Sequence, residues 1–335
     1  VPPASNAFWE KVILAMRAAA EDLEIELIVK CSERGSLATK RAGTDLLNTK
    51  PRLDFLLTGY WPLVTRAHIE LADELKIKVF IFNSEIIEEE REFFDRPRQK
   101  FKHWIGHMVP DEKKSSMELT RLLVERARVV KNLKNDDKIR VLGQFGTGTS
   151  QVGRSRTGGV RAQIGLMPNV QLQEIAMENW YTDWIRKSVV QALKENPDID
   201  IIWNGSQSSA LGALQGVEDA GKIPGKDVLV GGYDWNPELL QALSDGRLSL
   251  SMTGHFMEGV WALILAHDYH HGLDFAGDTG VRILTPLVAM TPENYEQFKV
   301  FFDGKALEKI DFRRFSKKYN PELKSYNFHV EQLLK

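Results

Sequence analysis

The sequence predicts an α/β protein with two doubly wound parallel-sheet lobes, and three observations carry that prediction. Short β-rich runs recur at 25–29, 54–58, 79–83, 139–144, 171–176, 199–203, 228–233 and 248–253. Several are apolar without alternation, as strands buried on both faces are. Helix-period segments lie between them at about 25 to 30 residues per unit, the spacing of right-handed βαβ crossovers. A length of 335 residues is comfortable for two domains.

Taken in order, the first helix follows Ser5-Asn6-Ala7-Phe8-Trp9, and Phe8, Val12, Ala15, Met16, Ala19 and Leu23 form one apolar stripe. Adjacent helical positions point about 100° apart, so Phe8 and Trp9 do not face the same core. Phe8 is in phase with Val12 and Ala15 and is expected in the core. Trp9 is expected to face a ligand, with Asn6 beside it as a hydroxyl partner. A second helix is predicted over 115–133, a third over 209–220 with Gly221 as C-cap, and a strong one over 256–269. The segment 106–110 reads as a boundary after three βα units, and a late strand is read at 281–288.

Composition narrows the function classes. The chain is 43% apolar and 27% charged with a net charge of −2. That balance makes no electrostatic case for nucleic acid or an anionic membrane as partner. No apolar run of about 18 residues exists to span a bilayer. Cys31 is the single cysteine, so no intrachain disulfide forms. Val1-Pro2-Pro3 reads like the end of a strand entering a loop, and no leader is visible.

In open parallel sheets, ligands sit at the carboxyl ends of strands. Those positions hold Asn6, Phe8 and Trp9; Cys31-Ser32-Glu33; Gly59-Tyr60-Trp61; Asn83-Ser84-Glu85; the Gly146–Ser150 turn with Arg154 and Arg156; Asn179-Trp180-Tyr181; Asn204-Gly205-Ser206-Gln207; and Tyr233-Asp234-Trp235-Asn236. Amides, hydroxyls and aromatics dominate. A sugar needs that set, because rings stack on its C–H faces while polar side chains take its hydroxyls. Each feature also has a structural reading: Asp234 as a helix cap, Arg154 and Arg156 as surface charges, the tryptophans as partial core.

Other motifs carry less. The Gly146-Thr147-Gly148-Thr149-Ser150 turn lacks the G-x-G-x-x-G spacing of a dinucleotide site and the Gly-Lys-Ser/Thr of a phosphate loop, so no cofactor is expected. His267 and His271 have i, i+4 spacing but no third ligand, so no metal is expected. The acidic run 85–95 reads as a solvated helix or lid. No G-x-S-x-G elbow is present, and Cys31 has no evident histidine partner.

These motifs together resemble the type I periplasmic solute-binding proteins of sugar ABC transporters, the ribose- and galactose-binding group, over residues 1 to about 292. "SNAFW" resembles the family's Asn-Pro-Phe-Phe/Trp segment, with Ala7 in place of Pro. "GTGTSQVGRSRTGG" resembles its Gly-Thr…Arg-x-Arg-x-x-Gly segment. "ENPDIDIIWNGSQSSALGALQGVEDAG" and "VLVGGYDWNPELLQALSDGRLSLSM" resemble its later strand–helix segments. "GHFMEGVWALILAHDYHHGLDF" is similar to a subgroup that includes the autoinducer receptor of this fold. The resemblance implies ligand contacts at Asn6, Phe8, Trp9, Arg156, Trp180, Ser206 and Asp234. Tyr60, Trp61, Asn83, Ser84, Arg154 and His255 join them as candidates. Asn83-Ser84 replaces the family's Asp-Arg, and Gly254-His255 stands where Gln is usual, so a sugar other than ribose is expected.

The resemblance further implies two lobes joined by a three-strand hinge, 1–106 with 256–285 and 110–253 with 288–335, closing on a ligand in the cleft. The crossings are expected near 106–110, 253–258 and 285–290. It implies a monomeric, periplasmic, non-enzymatic protein that hands a small neutral sugar or sugar-like solute to an ABC permease. The alternatives are a ligand sensor for a membrane receptor kinase, the core of a repressor, which would need an N-terminal helix-turn-helix, and an enzyme on a similar fold.

Overall fold

Alternation of strand and helix runs through residues 7–33, 35–145, 150–176, 182–301 and 307–334, which a computed structural model describes. The chain begins with α1 (Ala7–Asp22), α2 (Ser36–Leu47), β1 (Phe55–Thr58), α3 (Val64–Glu74), β2 (Lys78–Phe82), α4 (Arg91–Phe94) and β3 (Trp104–Pro110). It continues with α5 (Glu112–Val130), β4 (Ile139–Phe145), α6 (Gln151–Gly165), β5 (Val170–Ala176), α7 (Thr182–Glu195) and β6 (Ile201–Asn204). Then come α8 (Gln207–Asp219), β7 (Leu229–Tyr233), α9 (Pro237–Ser244), β8 (Leu250–Thr253), α10 (Glu258–His270), β9 (Arg282–Thr285), β10 (Val288–Met290) and α11 (Tyr295–Phe298).

Two units result. The first holds Val1–Pro110, Gly254–Pro286 and Val300–Lys335, the second Asp111–Thr253 and Leu287–Lys299. In the first, a parallel sheet runs in the order β1-β2-β3-β9. Val79 and Ile81 point into the cluster that includes Ile69 and Ala72 of α3 and Leu47 of α2. Successive strand residues face opposite ways. Phe80 and Phe82 accordingly face the other side, where Phe82 meets Trp9 of α1. Helix α10 packs on α1 there. It is buried from Glu258 to Asp268 and apolar nearly all round, as an interior helix must be.

In the second unit the order is β10-β8-β7-β6-β4-β5, parallel except for β10. Gly231 and Gly232 of β7 let helices close on both faces. A Cβ at Gly231 would stand 2.7 Å from Leu123 of α5, and one at Gly232 would stand 2.9 Å from Ala210 of α8. Helix starts are fixed by side chains: Asp111 accepts from Lys114 N, Ser206 forms a capping box with Ser209, and Asn236 accepts from Leu239 N ahead of Pro237.

Two expectations are corrected. Residues 25–29 are extended but not a strand, because none of the backbone groups of residues 26–29 pairs with another backbone group among the described residues. The segment 104–110 is an inner strand of the first sheet, and the first unit's opening stretch ends with it at Pro110. Residues 300–335 belong with the first unit, not with 288–299, so the chain passes between units a fourth time, at 299/300. The reason is aromatic packing on α10 and its lead-in: Phe301 meets Phe256 at 5.4 Å, and Phe315 and Phe328 meet Trp261 at 5.2 and 5.1 Å.

Asp268 ties that tail down. Its carboxylate, fully buried, accepts from Tyr326 Oη (2.8 Å), Lys317 N (2.6 Å), Ser316 Oγ and His267 Nδ1 (3.0 Å). Burial opposes its ionisation, and these donors outweigh burial, holding its pKa below the ordinary 3.8. Asp268→Ala should therefore lower unfolding free energy by about 2 to 4 kcal/mol, because four donors lose their acceptor. A depressed folded-state pKa means that stability is present above 3.8 and fades as pH falls through the folded value. Urea unfolding at pH 7 and pH 3 should show the wild-type advantage shrinking at the lower pH. An advantage that does not change with pH contradicts this role.

Candidate functional site

The carboxyl ends of β4, β6, β7 and β8 in the second unit gather the polar residues of interest. Arg156 of α6 is 6% exposed. Its Nε and Nη2 donate to both carboxylate oxygens of Glu112 at 2.5 and 2.8 Å, and Nη1 donates to the Gly205 carbonyl at 2.6 Å. The guanidinium lies 3.5 Å from the centre of the Tyr233 ring. These bonds use three of five N–H donors. Burial lowers the tendency of Arg156 to stay charged, but Glu112 more than restores it. Burial pushes the Tyr233 hydroxyl up, so it stays protonated beside Ser115 Oγ at 3.2 Å.

Asp234 follows β7 with φ +60, a left-handed conformation that aspartate tolerates better than most residues. Its backbone is pinned by N–H donation to Met252 O (2.8 Å) and by acceptance from Ser251 Oγ (2.6 Å). Asn236, not Asp234, caps α9, so the capping alternative falls. Ser206 is committed to the α8 capping box, which accounts for it without a ligand. Arg154 Nε donates to Gln151 Oε1 at 3.2 Å.

In the first unit, Asn83 follows β2, also left-handed at φ +68. Its Nδ2 donates to His255 O (3.2 Å) and to Glu258 Oε2 (3.3 Å). Glu258 is fully buried and also accepts from Thr285 Oγ1. His255 is 7% exposed, and Phe8 stacks on its ring at 4.7 Å. Ser84 O accepts from His107 Nε2 at 3.0 Å; burial first of all keeps that imidazole below its ordinary pKa of 6.5. Asn83, Phe8, His255 and Glu258 thus form one polar–aromatic cluster.

The first-helix expectation is reversed. Trp9 is 7% exposed and lies edge-on to Phe82 at 6.1 Å, whereas Phe8 is half-buried. Trp9 precedes Val12 and Met16 by three and seven residues, which is also helical phase. Tyr60 is a core residue at 4% exposure, donating to Glu90 Oε2 at 2.8 Å. Trp61 is 38% exposed. Asn6 and Trp180, like the 146–149 turn, lie outside the described residues. His267 and His271 are absorbed locally: His271 Nδ1 donates to His267 O at 2.9 Å, and His267 stacks on Tyr319. Among the described residues, no group of three or more metal-binding side chains stands together, and no helix is long and apolar enough to cross a membrane.

Sequence reasoning missed Glu112, Glu258 and Gln144. Gln144 is fully buried in β4, paired in register with Asn204 of β6. No local pattern marks these residues, since their partners Arg156, Asn83 and Asn204 stand far away in the chain.

A chain with parallel-sheet units and polar strand ends of this kind has the architecture of a solute-binding protein. Residues 1–272 match the periplasmic binding protein domain, and the chain belongs to that family. Over its full length it is similar to a periplasmic sugar-binding protein from Pseudomonas fluorescens, at 28% identity and a TM-score of 0.85, covering 100% of this chain and 97% of that one. An ABC transporter solute-binding protein from Actinobacillus succinogenes 130z with bound D-allose has a TM-score of 0.73 at 18% identity, covering 87% and 96% of the two chains. At that identity the likeness shows the fold. The galactofuranose-binding protein YtfQ of Escherichia coli K12 is 29% identical over 68 residues, 20% of this chain and 21% of that relative. The match therefore spans about a fifth of the length of that curated relative.

The Arg156–Glu112 pair makes a direct prediction. Glu112→Ala should destabilise the protein by about 3 to 5 kcal/mol, because it strands a buried cation. The double replacement Glu112→Leu with Arg156→Met should recover most of that loss. Denaturant unfolding reads both; a single variant as stable as wild type would remove the pair from this role.

Proposed function

We propose that this protein captures a small neutral sugar or sugar-like solute outside the cytoplasmic membrane and delivers it to an ABC permease. The reading is of a monomer that binds without turning its ligand over. What carries it is the repeated strand-end device: in each unit a left-handed polar residue, Asn83 or Asp234, ends an inner strand next to aromatic side chains. Such residues hold hydroxyls, and the rings beside them hold C–H faces. The similarity to the Pseudomonas fluorescens sugar-binding protein supports the same reading.

Asn83, Phe8 and His255 on the first unit and Asp234 and Arg156 on the second are assigned to the ligand. Arg156 presents the donors that Glu112 and Gly205 leave unused. Closure of the two units about their connecting segments is the proposed switch, with ligand favouring the closed state. The closed state is then read by the permease, or by a receptor kinase if the module serves sensing. Affinity chromatography of detergent-solubilised membranes on the sugar-loaded protein separates those two partners.

A panel of aldoses, ketoses and furanosides in a thermal-shift assay should contain at least one sugar that raises the melting temperature by mass action. For that sugar, Asp234→Ala should weaken binding by about 2 to 4 kcal/mol in calorimetry while circular dichroism stays unchanged. A panel with no stabilising member, or wild-type affinity in the variant, counts against the assignment.

A further inference from the structure

The polar cluster at the carboxyl end of β2 fixes the direction of one amide. The main chain of Asn83 is held first: its N–H donates to Met108 O of β3 at 2.9 Å, and its φ is +68. The next residue is held too, since Ser84 O accepts from His107 Nε2 at 3.0 Å. What remains to be set is which end of the side-chain amide of Asn83 faces inward. The inner side offers acceptors. The His255 carbonyl at 3.2 Å and Glu258 Oε2 at 3.3 Å both accept from Nδ2. Exchanging Nδ2 for Oδ1 would lose both bonds, because oxygen would then face oxygen. Asn83 is half-buried, and among the described residues none donates to its Oδ1.

Glu258 is itself fixed. It is fully buried in the first turn of α10, where the helix dipole favours a carboxylate. Its Oε1 accepts from Thr285 Oγ1 at the end of β9, and that hydroxyl also lies 3.4 Å from Val109 O of β3. Both oxygens of the carboxylate accept, so the group has no hydrogen to offer Asn83 Oδ1.

We infer that Glu258 is a positioning residue that sets what the first unit reads in its ligand. It holds Nδ2 of Asn83 inward, so the amide presents Oδ1, an acceptor, to the ligand. The inference rests on the reading that a sugar occupies these strand ends, and it adds the chemistry of one contact. The ligand must bring a hydroxyl that donates to Asn83. A group that only accepts, such as fluorine in place of that hydroxyl, meets Oδ1 with no hydrogen between them and is rejected. A carboxylate in place of the Asn83 amide would face Glu258 at hydrogen-bond distance with no proton to share, a like-charge pair.

Two variants and their combination test the arrangement by calorimetry, with the sugar found in the thermal-shift panel. Asn83→Asp should weaken binding about 10-fold or more and lower the melting temperature. Glu258→Gln keeps an acceptor for Nδ2 and should bind close to wild type. Added to Asn83→Asp, it supplies an amide nitrogen that donates to the new carboxylate, so the double variant should regain most of the lost affinity. Losses that simply add overturn the proposal. Specificity is a readout that packing alone does not move. Among forms of the sugar with one hydroxyl replaced by fluorine, one should bind wild type about 10- to 100-fold more weakly than the parent. Glu258→Leu should shrink that penalty while leaving those at the other hydroxyls unchanged. A penalty that survives Glu258→Leu in full overturns the role; if this variant does not fold, the double variant decides. If no sugar binds, the functional reading fails, and the amide itself decides the positioning. In ligand-free protein isotope-labelled on asparagine, the side-chain N–H signals that Asn83→Asp removes should exchange with water about 100-fold more slowly than an exposed amide. Exchange as fast as an exposed amide overturns the proposal.

Discussion

A parallel strand cannot turn back on itself, and that constraint organises each unit. Every return to the sheet must be a crossover, so helices cover both faces and the carboxyl ends of the strands gather along one edge. The chain leaves each strand there and has to reverse within a few residues. Asn83 and Asp234 accept the left-handed conformation such a reversal demands. Both are also short polar side chains suited to bonding a hydroxyl. Turn geometry and ligand chemistry thus select the same residue types at the same places.

Two buried ionic arrangements add what hydrophobic packing does not, a fixed orientation. Glu112 holds Arg156 by two parallel bonds while Gly205 and Tyr233 fix its remaining side and face. The guanidinium cannot rotate without breaking a desolvated pair, so its other donors point in a set direction. Asp268 does the same for the tail, where Ser316, Lys317 and Tyr326 converge on one carboxylate. Neither arrangement needs to add net stability, since desolvation offsets much of the attraction. Each restricts the chain to one way of packing.

How far the sequence could be read depends on the range of the interaction. Helices α5, α8 and α10 and strands β1, β2 and β4 to β8 were legible because periodicity is local. The segment 104–110 was legible as a boundary but not as a strand, because a seven-residue inner strand containing Gly106, His107 and Pro110 carries no alternation and ends in a breaker. Phe8 and Trp9 were assigned the wrong way round because both positions fit a helical stripe, and only the placement of Phe82 and His255 decides which ring is enclosed. Asp234 read equally well as a ligand contact or as a helix cap until the start of α9 at Pro237 gave the cap to Asn236. Residues 25–29 look like a strand in sequence, yet a strand is a pairing, and pairing needs a neighbour that composition does not supply.

By itself, then, the sequence determined the α/β class, the order of most strands and helices and the polar, aromatic character of the strand ends, because each follows from short-range spacing. The tertiary structure alone decided that Glu112 engages Arg156, that Tyr60 spends its hydroxyl on Glu90 and that residues 300–335 return to α10. Those outcomes join residues far apart in the chain through burial. A buried charge or ring takes whichever partner the fold delivers, and no local pattern names that partner in advance.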